Sequence, residues 1–178
     1  MNALRLIFAF LLTCSTATLF AQPDQAIAGL EFSIQLLDDN QTWGVFVKSN
    51  DNIQPSSRTA TGSGQVTIVA PVEFTYANFE NHGGSWVENA RVNAPAEATD
   101  KAYISFGFVN DEPKLVLFPN SETLLFTFTA PVQFWGSFEL FNNENDPFAT
   151  PNSYGTNPGN DLGIIDLAAE GGLQYYAY

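Results

Sequence analysis

The segment Asn142–Asp161, NNENDPFATPNSYGTNPGND, holds the densest set of potential ligand atoms in the chain. Asn142, Asn143, Asn145, Asp146, Asn152, Asn157, Asn160 and Asp161 crowd there among three prolines. Oxygen-rich irregular loops suit Ca2+, which takes roughly six to eight ligands from carboxylates, Asn side chains and carbonyls. On that chemistry the expected ligands are Asn143, Asp146 and Asp161, with Glu144 in reserve. The spacing fits no EF-hand, and Asn, Pro and Gly are also the ordinary residues of turns. The segment is therefore open to a second interpretation, a purely structural turn framework.

Aromatic side chains offer a different chemistry. Trp135 shares its parity with Gln133, Ser137 and Glu139, while Phe134, Phe138 and Leu140 take the other side. A tryptophan on the polar face of a strand can present its ring to a sugar or to a partner's apolar patch. Trp86, with Glu88 on its face, is a second platform of this kind, so the expected ligand-binding set is Trp135, Trp86 and Glu139. The competing expectation for each tryptophan is burial. Trp43, in step with Val45 and Val47, is expected in the core.

Catalytic signals are weak. The single histidine, His82, sits in the turn Asn81-His82-Gly83-Gly84, and Thr61-Gly62-Ser63-Gly64 reads as a flexible loop rather than a nucleophile elbow. A zinc site would lack its usual Cys and His ligands. Glycoside hydrolysis needs only two carboxylates at a set separation, and among nineteen acidic residues no pair stands out. The expectation is a chain that is not an enzyme.

Charge narrows the partners. Six Lys and Arg against nineteen Asp and Glu give a formal net charge of −13. Phosphate backbones need clustered cations, so nucleic acid is excluded in practice, and anionic membranes are disfavoured likewise. The charge suits solubility through self-repulsion, or carboxylates that hold divalent cations. Met1–Ala21 reads as a signal peptide, with Arg5 in the n-region, an apolar run from Leu6 to Leu12 and Ala21 before the cut. An alternative is a lipobox at Leu11-Leu12-Thr13-Cys14. Cleavage after Ala21 removes the single cysteine, so stability must come from burial rather than disulfides. No run is long and apolar enough for a transmembrane helix. The expected destination is secreted, extracellular or cell-surface.

From Gln22 onward the elements that must position these residues are short strands. Alternation predicts strands at Leu30–Leu36, Trp43–Lys48, Gln65–Ala70, Phe74–Phe79, Trp86–Val92, Gln133–Phe141, Leu162–Leu167 and Leu173–Tyr178. Tyr103–Val109, Leu115–Phe118 and Leu124–Ala130 read as a three-strand meander, with Ile104, Phe106 and Phe108 on its inner face. Asp38-Asp39-Asn40 and Asn81–Gly84 are turns, Ser49–Ser63 is a loop, and only Ala94–Lys101 suggests a helical turn. The prediction is all-β, a two-sheet antiparallel β-sandwich of jelly-roll type with about ten strands, forming one domain over 22–178.

The run Tyr103-Ile104-Ser105-Phe106-Gly107-Phe108, the acidic turn after it, and Glu122-Thr123-Leu124-Leu125-Phe126-Thr127-Phe128 resemble the strand, acidic turn and closing strand of cohesins. With Ala94-Pro95-Ala96-Glu97, Asp146-Pro147-Phe148 and Pro151-Asn152-Ser153, the chain also resembles cohesin-like and carbohydrate-binding-module-like sandwiches of secreted Bacteroidota surface proteins. No dockerin-like Ca2+ loop accompanies the module. The resemblance implies a non-catalytic recognition or adhesion module for a protein or glycan. Two alternatives stand beside it: a carbohydrate-binding module, and a structural subunit of an extracellular matrix or filament. In the last case Leu173–Tyr178 would pair with a neighbour's sheet edge, giving self-association, unless it closes its own sandwich.

Overall fold

The computed structural model describes residues 26–49, 59–134, 136–166 and 173–177. The expected signal peptide, the greater part of the expected Ser49–Ser63 loop, and Trp135 lie outside them. Ten strands follow in order: β1 Ala26–Leu36, β2 Thr42–Ser49, β3 Thr59–Pro71, β4 Ala77–Asn81, β5 Ser85–Asn93, β6 Lys101–Asn110, β7 Glu122–Thr129, β8 Glu139–Leu140, β9 Asp161–Asp166 and β10 Leu173–Ala177. They pair as β4-β7-β2-β1-β10-β9-β3-β6-β5, with β8 also on β3. Every pairing is antiparallel except that of β1 with β10. The ribbon doubles over, so that β4-β7-β2-β1 faces β9-β3-β6-β5 and β10 joins the layers along one side. This is the predicted β-sandwich. Among the described residues no helix is long and apolar enough to cross a membrane.

Parity determines which side chains meet between the layers. Trp43, Val45 and Val47 of β2, Phe126 and Phe128 of β7, Val66 and Ile68 of β3, and Ile104 and Phe106 of β6 are all buried in one cluster. Phe106 and Phe126 belong to opposite layers, and their ring centroids lie 4.9 Å apart. Phe79 stacks on Phe106 at 5.2 Å. Such aromatic pairs add about 0.5–1.5 kcal/mol each beyond their area burial. Trp43 packs edge-on to Phe138 at 4.9 Å, and its indole N–H is the one buried side-chain polar atom left without a partner among the described residues.

The hairpin between β1 and β2 forms as expected. Asp39 accepts the backbone N–H groups of Gln41 and Thr42 at 2.9 and 2.8 Å, and Asn40 takes the left-handed conformation. At Gly84, φ is +79°, and a Cβ would stand 2.6 Å from the Phe108 ring, so only glycine fits this crossing from β4 to β5.

Several expectations need correction. Tyr103–Ala130 is not a meander, because β6 and β7 lie in different layers and Leu115–Phe118 makes no strand. That segment still alternates, Leu115 and Leu117 being 2% and 4% exposed and Val116 and Phe118 39% and 54%. It runs extended across the sandwich end, touching the ladder through a bridge from Pro119 to Ser49. Thr61–Gly64 is part of β3, with a bulge opposite β9, and not a loop. Gln133–Phe141 is not one strand either. Val132–Phe134 forms a 3-10 turn, and only Glu139–Leu140 reaches the ladder. Finally, β10 uses both of its edges within its own chain, on β1 and β9, leaving none for a neighbour.

Candidate functional site

The Asn-rich segment lies on the outer face of β3 and β6, where parity turns Val69 and Tyr103 away from the main core. Phe141 and Phe148 cover them, with Val92, Ala98 and Ala149 around the edge, making a second, smaller core. Tyr103 and Phe148 are 4.6 Å apart between ring centroids. Below them Thr67 and Ser105, paired across the strands, share a buried hydroxyl contact of 2.7 Å.

Asparagine side chains fasten the segment. Both β8 and β9 pair with the same edge of β3, β9 as far as Gln65 and β8 from Ile68. Between them Thr67 has no strand partner on that edge. Its N–H donates to Asn160 Oδ1 at 2.7 Å, Asn160 Nδ2 donates to the Phe141 carbonyl at 2.7 Å, and the Phe141 N–H donates back to the Thr67 carbonyl at 2.9 Å. A carboxamide carries a donor and an acceptor in one plane, as a peptide does, so Asn160 splices the two short strands together. It is only 4% exposed. Asn143 repeats the device, accepting the Asn160 N–H and donating to the Asn160 carbonyl, each at 2.8 Å. At the far corner Asn81 bridges the backbone of Trp86 in the same way, at 2.8 and 3.3 Å. Asn152 closes the turn after Pro151 through four backbone bonds.

These fastenings bear directly on the predicted calcium ligands. Asn143 gives its carboxamide oxygen and one of its N–H groups to Asn160. Asp146 accepts from the Tyr103 hydroxyl at 2.9 Å and the Phe148 N–H at 2.8 Å. Glu144 is held by its backbone in an Asn142 turn. No group of three or more His, Cys, Asp or Glu side chains converges among the described residues. Asn143 and Asp146 thus act as fastenings of the turn framework, and Asp146 does not share the cleft where Asn143 and Asp161 meet.

Trp86 is 0% exposed and donates its indole N–H to the Gly83 carbonyl at 2.7 Å, so it cannot offer a ring to a ligand. Its neighbour Glu88 does share its face, but that face points inward at the rim. Glu88 is paired there with Arg91 at 2.9 Å and hydrogen-bonded by Tyr76. Glu139 is exposed on β8 opposite Val69, and among the described residues no contact joins it to Trp86. Trp135, the other expected platform, lies outside the described residues. His82 meets the Thr127 hydroxyl at 3.2 Å, a turn contact as expected.

A cleft of about 490 Å3 opens where the Asn-rich segment leaves the sheet. Gln65, Asn143, Thr150, Asn157 and Asp161 give it a polar lining, with Phe141 and Ala149 as the apolar part. Of the predicted metal ligands, Asn143 and Asp161 meet here while Asp146 lies elsewhere. Sequence reasoning missed Gln65 and Thr150, and it counted Asn157 among the crowded residues of the segment without choosing it as a ligand. Gln65 is rigid, donating to the Asn157 and Gly159 carbonyls at 3.0 and 2.8 Å. Burial raises the Asp161 carboxyl above its ordinary pKa, only partly offset by a bond from the Gln65 backbone.

That shift has a measurable sign. With the folded pKa raised, the stability linked to Asp161 is present below about pH 3.8 and lost as pH rises through the folded value. Because Asp161 is exposed as a whole, solvent screens the effect: Asp161→Asn is expected to raise the melting temperature only slightly at pH 7, and the gain disappears at pH 3. A thermal-melt comparison at both pH values checks this.

Other groups set the pH limits of the fold. Asp39 is lowered by the Thr42 hydroxyl and the N–H groups of Thr42 and Gln41, and Glu97 by the hydroxyl and N–H of Ser153. For Glu88, burial opposes the charge, but the hydrogen bonds and charge of Arg91 with the Tyr76 hydroxyl outweigh it. Each contributes stability above its ordinary value, 3.8 for Asp39 and 4.5 for the glutamates, that is lost as pH falls through the lower folded value. At the other end, burial and then Glu88 push Tyr76 up to about 12, and burial with Asp146 raises Tyr103 also. Their stability is present below pH 10 and lost as pH rises towards 12. Melting temperature against pH is expected to form a plateau that falls away below about pH 4 and above about pH 10.

Comparison with family models, with curated proteins and with solved structures finds no match to this chain.

Proposed function

We propose that the chain is a secreted, non-catalytic recognition or adhesion module that binds a protein or glycan at the cell surface or in the extracellular matrix. One observation supports this most: a polar cleft of about 490 Å3, in the size range of small-ligand sites, held by a hydrogen-bonded loop on a rigid sandwich. Loops positioned by a stable scaffold are the usual place for recognition. The resemblance to cohesin-like and carbohydrate-binding-module-like sandwiches agrees with that use. Export rests on the signal-peptide pattern of Met1–Ala21.

An assembly role, by contrast, would need open edges. The outermost strands are β4, five residues long, and β5, whose pairing carries two bulges. Short and bulged edges resist strand addition.

The test is binding of the purified protein to arrayed glycans and extracellular proteins, beside Thr150→Trp, which narrows the cleft from an exposed position. Saturable binding lost in that variant, with unchanged melting, is the expected result. Binding that survives would remove the cleft from the interface, and no binding at all would overturn the recognition role.

A further inference from the structure

We propose that the cleft takes a neutral sugar residue, with the Asp161 carboxylate accepting from adjacent hydroxyls and the Asn157 carboxamide donating to a further oxygen. The proposal rests on the recognition role above and names its ligand class. It follows from the chemistry of the lining. No Lys, Arg or His stands among the residues that line the cleft, so an anion would meet nothing to balance it in a chain of net charge −13.

A divalent cation fits poorly as well. Asp161 is the single carboxylate of the lining, and Asn143 Oδ1 and Asn157 Oδ1 already accept the N–H groups of Asn160 and Gly159, at 2.8 and 3.1 Å. Ca2+ asks for roughly six to eight oxygens. The apolar portion is Ala149 with the edge of the buried Phe141, 4% exposed, too small for a lipid tail.

What the cleft does offer is hydrogen-bonding capacity. Asp161 accepts from the Gln65 backbone and keeps its remaining lone pairs. Asn157 Nδ2 has no partner among the described residues, and Thr150 donates to the Thr156 carbonyl, leaving its oxygen as an acceptor. Asp161 is exposed at the cleft, so its free carboxylate oxygens are open to a pair of hydroxyl donors. A charge-assisted hydrogen bond is among the stronger polar contacts, so its loss is expected to weaken binding by at least about tenfold.

The purified protein, labelled with 15N, is titrated separately with glucose, galactose, mannose, fucose, N-acetylglucosamine and calcium chloride. At least one sugar is expected to move the Asn157 side-chain amide and the backbone amides of Thr150 and Asp161. Asp161→Ala should weaken that binding at least about tenfold without lowering the melting temperature. Silence of these signals with every sugar, or their movement with calcium alone, would overturn the proposal. Sugar-induced shifts confined to another surface would overturn it too, while leaving the recognition role intact.

Discussion

Replacing Asn160 by alanine is expected to cost about 2–4 kcal/mol of stability, a large share of the roughly 5–15 kcal/mol that holds a typical domain together. The substitution leaves the Thr67 N–H and the Phe141 carbonyl without partners in a site where Asn160 is 4% exposed. Each unsatisfied buried group costs about 1–3 kcal/mol. Chemical denaturation should show the midpoint falling with little change in slope. Asn160→Asp separates the donor from the acceptor. A carboxylate still accepts from Thr67 but faces the Phe141 carbonyl with no proton to give. Its folded pKa is therefore raised, and this variant regains part of its stability as pH falls. Equal stability for wild type and Asn160→Ala would show that the carboxamide makes no structural contribution.

Phe148→Ala carries the second large effect. The ring is 0% exposed and sits on Tyr103, and removing a buried phenylalanine costs about 3–5 kcal/mol. The second core contains few residues, however, so local release of the loop limits the global loss. Amide exchange is expected to accelerate across 142–160 while the amides of β2 and β7 stay protected, and the sugar binding proposed for the cleft should be lost with the loop. Uniform acceleration through both layers would instead mean that the outer cluster and the main core open as one unit.

The alternation of apolar residues made most of this architecture legible. Six of the predicted strands, those in β1, β2, β3, β5, β6 and β7, rest on side chains that must alternate between core and outside. The same signal misled at Leu115–Phe118, because alternation reports burial and not a ladder partner. An extended segment across the sandwich end buries Leu115 and Leu117 just as a strand would. Trp86 was misplaced for a related reason. Glu88 marked its face as polar, yet that face is internal, and the carboxylate is balanced by Arg91 and Tyr76 at the rim.

In the Asn-rich segment, composition revealed turns but not the use made of them. A carboxamide that replaces a peptide group leaves no periodicity, and its partners Thr67 and Phe141 are 93 and 19 residues away. For that reason Asn160 looked no different from its neighbours, and the cleft beside it could not be assembled from spacing.

Scalar coupling across hydrogen bonds offers the most direct check on the carboxamide splice that holds β8, β9 and the loop on β3. In the 13C,15N-labelled protein, magnetisation is expected to pass from the Thr67 amide nitrogen to the Asn160 side-chain carbonyl carbon, and from Asn160 Nδ2 to the Phe141 carbonyl carbon. A Thr67 amide coupled to a main-chain carbonyl, with Asn160 Nδ2 coupled to nothing, would contradict it.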